Sequence, residues 1–280
     1  MAKLKGQFPL TALLKLAGLA RSTFYYQTQV QSKPDRQAAL RQTVESVYHQ
    51  QKGLYGYRRV TAVIRNMGTL VNKKVVERLM AELDLKSVVR PKKYRSYKGT
   101  VGRIAPNLLD RHFIAQRANQ KWVTDVTEFK VAQQKLYLSP VMDLYNREIV
   151  AYEMSTRPCL DLVTKMLDKA LARLQTEPKL MIHSDQGWQY QHLQYRQTLG
   201  KRGVRQSMSR KGNCLDNAAM ESFFGTLKSE FFYLKRFESV DELKAGLDEY
   251  IHYYNHDRIK LNLNGMSPVK YRTQVTQAAS

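Results

Sequence analysis

The spacing of apolar positions along the chain changes character near residue 120. Ahead of that point the period is helical. Leu10, Leu13, Leu14 and Ala17 form one stripe, Gly18 permits a turn, and Ser22-Thr23 suit the start of a second short helix through Phe24-Tyr25-Tyr26. A second pair follows the same plan. Tyr57 to Ile64 is helical in pattern, Gly68-Thr69 interrupts it, and Asn72 is placed to cap a helix from Lys73 to Leu83. Both pairs have the outline of a helix–turn–helix, whose second helix, opened here by Lys73 and Lys74, can enter a DNA major groove. Helical pairs of this size also occur in bundles that bind nothing, so the charge around them has to carry the function.

Beyond residue 120 the signal is that of strands. Trp122 to Val131, Leu136 to Leu144 and Glu148 to Met154 read as three strands, joined by turns at Ala132-Gln133-Gln134 and Asn146-Arg147. Pro140 has no N–H to give a ladder, which predicts a bulge or an unpaired position in the second strand. Leu160 to Leu174 then reads as a helix, Lys179 to His183 as a short buried strand and Gln189 to Leu199 as a helix. A last strand near Val204 precedes a helix from Asn217 to Phe231. Three hairpin strands followed by α-β-α-β-α predict an α/β fold: a mixed five-stranded sheet with flanking helices, similar in pattern to ribonuclease-H-like folds, behind a small all-α region. No apolar run approaches the ~18 residues of a membrane span, and no signal peptide opens the chain, so a cytoplasmic protein with no membrane partner is expected.

Charge sharpens the division. The 280 residues carry 46 Lys+Arg against 24 Asp+Glu, a net of +22. The imbalance is uneven, with 21 basic and 6 acidic residues in 1–110 and 25 against 18 in 111–280. A basic front half on a nearly balanced back half predicts a DNA-holding module attached to an enzyme. Residues 86–103 hold seven cations (Lys86, Arg90, Lys92, Lys93, Arg95, Lys98, Arg103), no acid, and Tyr94 and Tyr97 between them. Pro91, Gly99 and Gly102 prevent one long helix there, so the run reads as a linker lying on DNA backbone, with Lys92, Lys93 and Arg95 on phosphates. The resulting division is 1–85 helical, 86–115 basic linker, 116–275 catalytic core with C-terminal helices, and 276–280 tail. The two cysteines, Cys159 and Cys214, are isolated, which supports neither a disulfide framework nor a thiolate metal site.

Three carboxylates stand in distinctive runs: Asp125 in Trp122-Val-Thr-Asp-Val-Thr-Glu-Phe129, Asp185 in His183-Ser-Asp-Gln-Gly-Trp-Gln-Tyr190, and Glu221 in Asp216-Asn-Ala-Ala-Met-Glu-Ser-Phe-Phe224. Singly each has an ordinary explanation as a turn former or a solvent-facing helix residue. Their placement argues otherwise. Asp125 sits amid alternating apolar residues, where an unpaired charge is costly, and Asp185 follows an apolar strand at its carboxyl end, the usual site position in α/β sheets. On the last helix Met220, Phe224, Leu227 and Phe231 share one face, and Asn217, Glu221 and Lys228 share its shoulder. Three oxygen donors of this kind suit two Mg²⁺ or Mn²⁺ ions and phosphodiester chemistry on nucleic acid. Asp143 precedes a turn and reads as structural, or as a support behind the residues of the site.

These motifs, with Ser209-Arg-Lys-Gly-Asn-Cys-Leu-Asp-Asn-Ala218, Lys228 and the tail Tyr254-Asn-His-Asp-Arg258…Ser267-Pro268, closely resemble the second-reading-frame (OrfB) transposases of the IS-three insertion-sequence family, relatives of retroviral integrases. The resemblance covers essentially the whole chain. It implies an integrase core of the DDE superfamily, Asp125, Asp185 and Glu221 as metal-binding catalytic triad, and Lys228 as a DNA contact. Gln186, Gly187, Gln189 and Tyr190, with Ser209, Lys211 and Asn213, are expected to shape the DNA groove. The implied reaction is 3′-end cleavage and strand transfer of element ends, by a homo-oligomer on DNA. The chain begins at Met1 without a sustained heptad, and the resemblance further implies fusion to an upstream-reading-frame product by frameshifting. A non-specific nuclease of the same fold, or a catalytically decayed DNA-binding regulator, are the competing expectations.

Overall fold

The computed structural model describes residues 7–32, 37–89, 104–131, 133–174, 179–210 and 214–278. The first two helices are α1 (Leu10–Leu16) and α2 (Arg21–Ser32). Among their described side chains only Leu14 and Phe24 are buried, and Ser22 and Thr23 fall inside the first turn of α2 instead of capping it. Next come α3 (Ala38–Gln50), α4 (Tyr57–Asn66) and α5 (Lys73–Glu82), which share a core built on Val44, Val47, Val60, Ile64, Val76 and Leu79. The sequence reading passes over α3, although Leu40, Val44, Val47 and Tyr48 recur at helical spacing. Gly68, at φ +89°, makes the turn after α4, and the Asn72 side chain accepts the Lys74 N–H at 2.9 Å as the α5 cap.

The remaining elements are β1 (Lys121–Thr124), β2 (Thr127–Val131), β3 (Gln134–Asp143), β4 (Ile149–Ser155), α6 (Leu160–Ala172), β5 (Met181–Ser184), α7 (Trp188–Gln191), α8 (Leu193–Lys201), β6 (Arg205–Met208), α9 (Ala218–Glu230), α10 (Val240–His256) and α11 (Pro268–Ala278). Six strands occupy five positions, because β1 and β2 both lie along the same edge of β3. The expected single strand 122–131 is therefore interrupted. Its register is continuous: Thr124 pairs with Val141 and Thr127 with Leu138, so Asp125 stands across from Pro140. Proline has no N–H to donate, and the ladder opens at the carboxylate. The expected helix 189–199 is also two helices. His192 is extended (φ −63°, ψ 143°), and its ring accepts the Gln194 N–H to cap α8.

Helices cover both faces of the sheet. On one, Trp122, Val141 and Ile182 pack against Val163, Met166 and Leu167 of α6 and Tyr195 and Leu199 of α8. On the other, Val123, Phe129, Leu138 and Met181 pack against Met220, Phe223 and Leu227 of α9 and Leu243, Leu247 and Ile251 of α10. The α3–α5 unit is fastened to this body. Ile259 joins its core, the Ile259 N–H donates to Tyr55 Oη at 2.9 Å, and Asn66 Nδ2 donates to the Gly265 carbonyl at 2.8 Å.

Candidate active site

Strand register brings two of the three carboxylates together. β1 and β5 are parallel, pairing Lys121 with Met181 and Val123 with His183; two residues further on, the same register sets Asp125 beside Asp185. Side chains alternate along a strand, so Asp125 and Asp185 project to the face that Val123 and Met181 share with α9. Glu221 lies in the first turn of that helix and Lys228 in its last.

The electrostatics fit this placement. Burial pushes the Asp125 carboxyl well above the usual carboxylate range, the charge of Asp185 adds to this, and Glu221 adds a smaller push. The Val126 N–H, donating to Asp125 Oδ1 at 2.8 Å, and the Lys228 ammonium oppose it. Burial likewise raises the Asp185 carboxyl, against the Gly187 N–H that donates to its Oδ1 at 2.9 Å. Two carboxylates that resist ionisation side by side, with a third close by, form an all-oxygen donor set that a hard cation would relieve. Among the described residues no three acidic, imidazole or thiol groups are close enough to form a finished cage.

A buried frame holds these groups. Asn217 Nδ2 donates to the Thr124 carbonyl at 3.1 Å, tying the start of α9 to the strand next to Asp125. Thr124 Oγ1 donates to the Pro140 carbonyl at 2.9 Å and lies 3.4 Å from Tyr190 Oη. His183, buried on β5, bridges Ser207 Oγ at 2.8 Å and Ser209 Oγ at 3.1 Å. Asp216, 0% exposed, accepts from Arg210 N, Nε and a terminal guanidinium N–H, from Arg111 Nε and from Asn107 Nδ2. Arg210 holds the Asp216 carboxyl far below the usual range. That knot fastens the segment leading into α9 to the one leading into β1. The sequence reading missed Asp216, Arg111 and His183 because their roles depend on partners about a hundred residues away, or on the neighbouring strand.

Several expected DNA contacts change role. Tyr190 is buried, with its hydroxyl beside Thr124 Oγ1 and its ring against Tyr195, and it braces the floor beneath Asp125 and Asp185 instead of lining a DNA groove. Gln189 and Ser209 are buried as well. Gln186 Nε2 is engaged with the Ser209 carbonyl at 2.9 Å. Lys228 lies 5.2 Å above the Phe129 ring at the edge of the site. Lys73 and Lys74 are exposed on the first turn of α5, whereas Lys92, Lys93, Arg95, Lys211 and Asn213 lie outside the described residues.

The chain matches families over most of its length. Residues 115–214 and 221–275 each match an integrase core domain, and residues 34–93 an HTH-like domain. The InsK protein of Escherichia coli insertion sequence element IS150 is 52% identical over 97% of this chain and 96% of its own length. A transposase-like protein of Haemophilus influenzae is 55% identical over 73% of this chain and 94% of its own. The E. coli transposase InsF of IS3A is 31% identical over 97% and 96% respectively. Among solved structures, the HTLV-2 integrase catalytic core domain in complex with magnesium aligns at TM-score 0.45 and 16% identity over 56% of this chain and 98% of its own, too distant to add to the assignment. With relatives matched nearly end to end, an integrase core around the paired strands and an HTH-like unit before it, the chain belongs to the IS-three family of insertion-sequence transposases, enzymes of DNA transposition and integration.

Proposed function

We propose that Asp125, Asp185 and Glu221 are the catalytic triad of a DDE transposase that cleaves element ends at their 3′ side and joins them to other DNA. The observation that carries this reading is the parallel register that sets Asp125 beside Asp185, on the face of the sheet where α9 supplies Glu221. Their carboxylates would hold two Mg²⁺ (or Mn²⁺) ions. Bound there, such ions activate water or a 3′-hydroxyl and stabilise the leaving oxygen of an in-line displacement. Lys228 contributes a fixed positive charge at the same edge, suited to a DNA phosphate. Lys73 and Lys74 open the helix that would meet duplex DNA, and the basic linker with Lys92, Lys93 and Arg95, together with Lys211 and Asn213, would follow the backbone. The working division is the helical region 1–85, linker 86–115, core 116–275 and tail 276–280.

Gly187 has a defined part in this scheme. A Cβ at that position would meet Asp185 Oδ1 at 2.9 Å, Gln189 Oε1 at 3.2 Å and Tyr190 Cδ2 at 3.3 Å. Gly187→Ala is expected to retain fold and DNA binding while strand transfer falls by about 10²-fold, the order of loss for a misplaced reacting group. Parallel binding and joining assays check it, and unchanged joining would remove Gly187 from the machinery.

The active form is proposed to be a homo-oligomer on DNA, fused to the product of an upstream reading frame, acting at the nucleoid in the cytoplasm. Two ends must be held together before one attacks the other, and tethering raises the local concentration of the second end. One relative, a transposase-type protein for IS1353 in Shigella flexneri, is covered over only 54% of its length, so that protein carries much additional chain. The test is labelled element-end DNA with Mg²⁺, resolving nicked from joined products for the isolated and the fused chain. The fused form is expected to join ends, and the isolated chain to bind DNA with modest preference and join poorly. Cleavage without joining in both would point to a nuclease, and binding without either reaction to a regulator.

A further inference from the structure

At the pole of the sheet away from the triad, three segments meet: the turn between β3 and β4, the end of α10, and the stretch from Arg258 to the start of α11. Asn146 Nδ2 donates to the Pro268 carbonyl at 3.1 Å, Asn255 exchanges two hydrogen bonds with the Ile149 backbone, and the Lys260 N–H donates to the Met266 carbonyl at 2.9 Å. Asp143, which opens the turn, pairs with Trp122 at the far end of β1 from Asp125, roughly 10 Å along the strand.

Two cations at this junction feel Asp143 and Glu230 only at a distance. Among the described residues neither Arg147 nor Lys260 makes an ion pair or a side-chain hydrogen bond; Lys260 Nζ only rests 4.7 Å above the Tyr254 ring. The carboxylates nearby are committed. Glu230 is taken by Arg258, Arg59 and Tyr250, and Asp143 accepts from the Asn119 and Tyr145 N–H groups. Burial, with Arg258, Arg147 and Arg59 close by, pulls the Lys260 amine down to about 7, and burial also lowers Arg147. The Tyr254 hydroxyl, on the ring beneath Lys260, is buried and unpartnered. Arg147 also adopts φ +62°, a left-handed conformation that is strained for a non-glycine residue and tends to persist where function requires it.

We propose that this junction is a phosphate-binding site, in which Arg147 and Lys260 supply the charge and the Tyr254 hydroxyl between their segments supplies a hydrogen bond. A tetrahedral oxyanion presents enough acceptors for all three groups and removes the repulsion between the two cations. The site adjoins the α3–α5 unit through Ile259 and Tyr55, so the phosphate can come from a DNA backbone spanning helical unit and core, or from free phosphate. Only the DNA source rests on the transposase reading.

The test measures thermal melting of the full chain, without DNA or divalent metal, in inorganic phosphate and in chloride of equal ionic strength. Phosphate is expected to raise the melting temperature by roughly 5 °C at a hundredfold excess over its Kd. In Lys260→Met and in Arg147→Gly, which suits the left-handed backbone, the phosphate response is lost, and Lys260→Met melts above the parent in chloride. A second arm follows duplex DNA affinity against salt. If a backbone phosphate occupies the site, Lys260→Met shallows the slope by about one contact. A phosphate response with an unchanged slope supports the site and assigns it to free phosphate. No phosphate-specific response in the parent, or an equal one in all three proteins, together with an unchanged slope, overturns the proposal. Failure of the parent to bind duplex at all would count against the transposase reading and leave the melting test intact.

Discussion

Asp125→Asn, Asp185→Asn and Glu221→Gln are each expected to abolish cleavage and joining of element ends while duplex binding persists. Each change keeps side-chain size and removes one anionic oxygen from the proposed metal site, so the loss would fall on transition-state charge stabilisation. Several kcal/mol of such stabilisation corresponds to a drop of at least about 10³-fold. The three defects are expected not to add, because one incomplete site is as inactive as another. Folding provides an independent readout. Burial and the Asp185 charge already disfavour an ionised Asp125, so Asp125→Asn should melt at or above the parent temperature. Glu128, paired across the hairpin with Lys135 at 2.9 Å, and Asp143, held by two backbone N–H groups, are the controls. A larger catalytic defect at either, measured on labelled end DNA, would sink the triad.

Glu230→Ala is expected to be the most destabilising single change in the core. The Glu230 carboxylate receives Arg258 Nε and a terminal Arg258 N–H at 2.7 Å each, Tyr250 Oη at 3.1 Å and Arg59 at 3.1 Å. Arg258 is itself buried, and its removal from water is tolerated only while the carboxylate faces it. Deleting that partner strands a buried guanidinium, at a cost of about 3–5 kcal/mol, or of order 10 °C in melting temperature. Replacing the pair together, Glu230→Met with Arg258→Leu, should recover most of the loss, because two apolar groups need no counter-charge; Arg59 is partly exposed and can turn to solvent. The pair also predicts acid sensitivity. Burial works to raise the Glu230 carboxyl, but Arg258 and Arg59 outweigh it and hold the group below its ordinary 4.5. A depressed carboxyl contributes stability that is present above the unfolded value and is lost as pH falls through the folded one. The parent should therefore lose stability below about pH 4.5, and Glu230→Gln should lack that component. Equal melting of Glu230→Ala and parent at pH 7 would contradict this account.

Glu230 sits nine residues beyond Glu221 on α9, about 13 Å along the helix, and nothing in its local sequence marks it. The elements themselves were legible. Alternation of apolar residues announced the hairpin strands, the Asn72 cap announced α5, and the 3.6-residue stripe through Met220, Phe224 and Leu227 announced α9 and set Glu221 on its shoulder. The three proposed carboxylates each stood out locally: Asp125 as a charge amid alternating apolar residues, Asp185 at the end of an apolar strand, and Glu221 on the helix shoulder with Lys228. Local periods carry no information about register. Only the assembled sheet sets Asp125 beside Asp185 and across from Pro140, and only there does the interruption of one strand fall at the carboxylate. Burial was likewise a tertiary decision. Tyr190 lies in the same run as Gln186, yet the helix bend at His192 and the cover of Tyr195 turn it into the floor of the site. The sequence by itself determined which residues could do chemistry, because residue type and period are written along the chain. Tertiary structure decided which of them meet, because strand register joins Asp125 to a residue beyond three further strands and α6, and the Asp216 knot and the docking of the α3–α5 unit onto Glu230 join residues about a hundred or more positions apart.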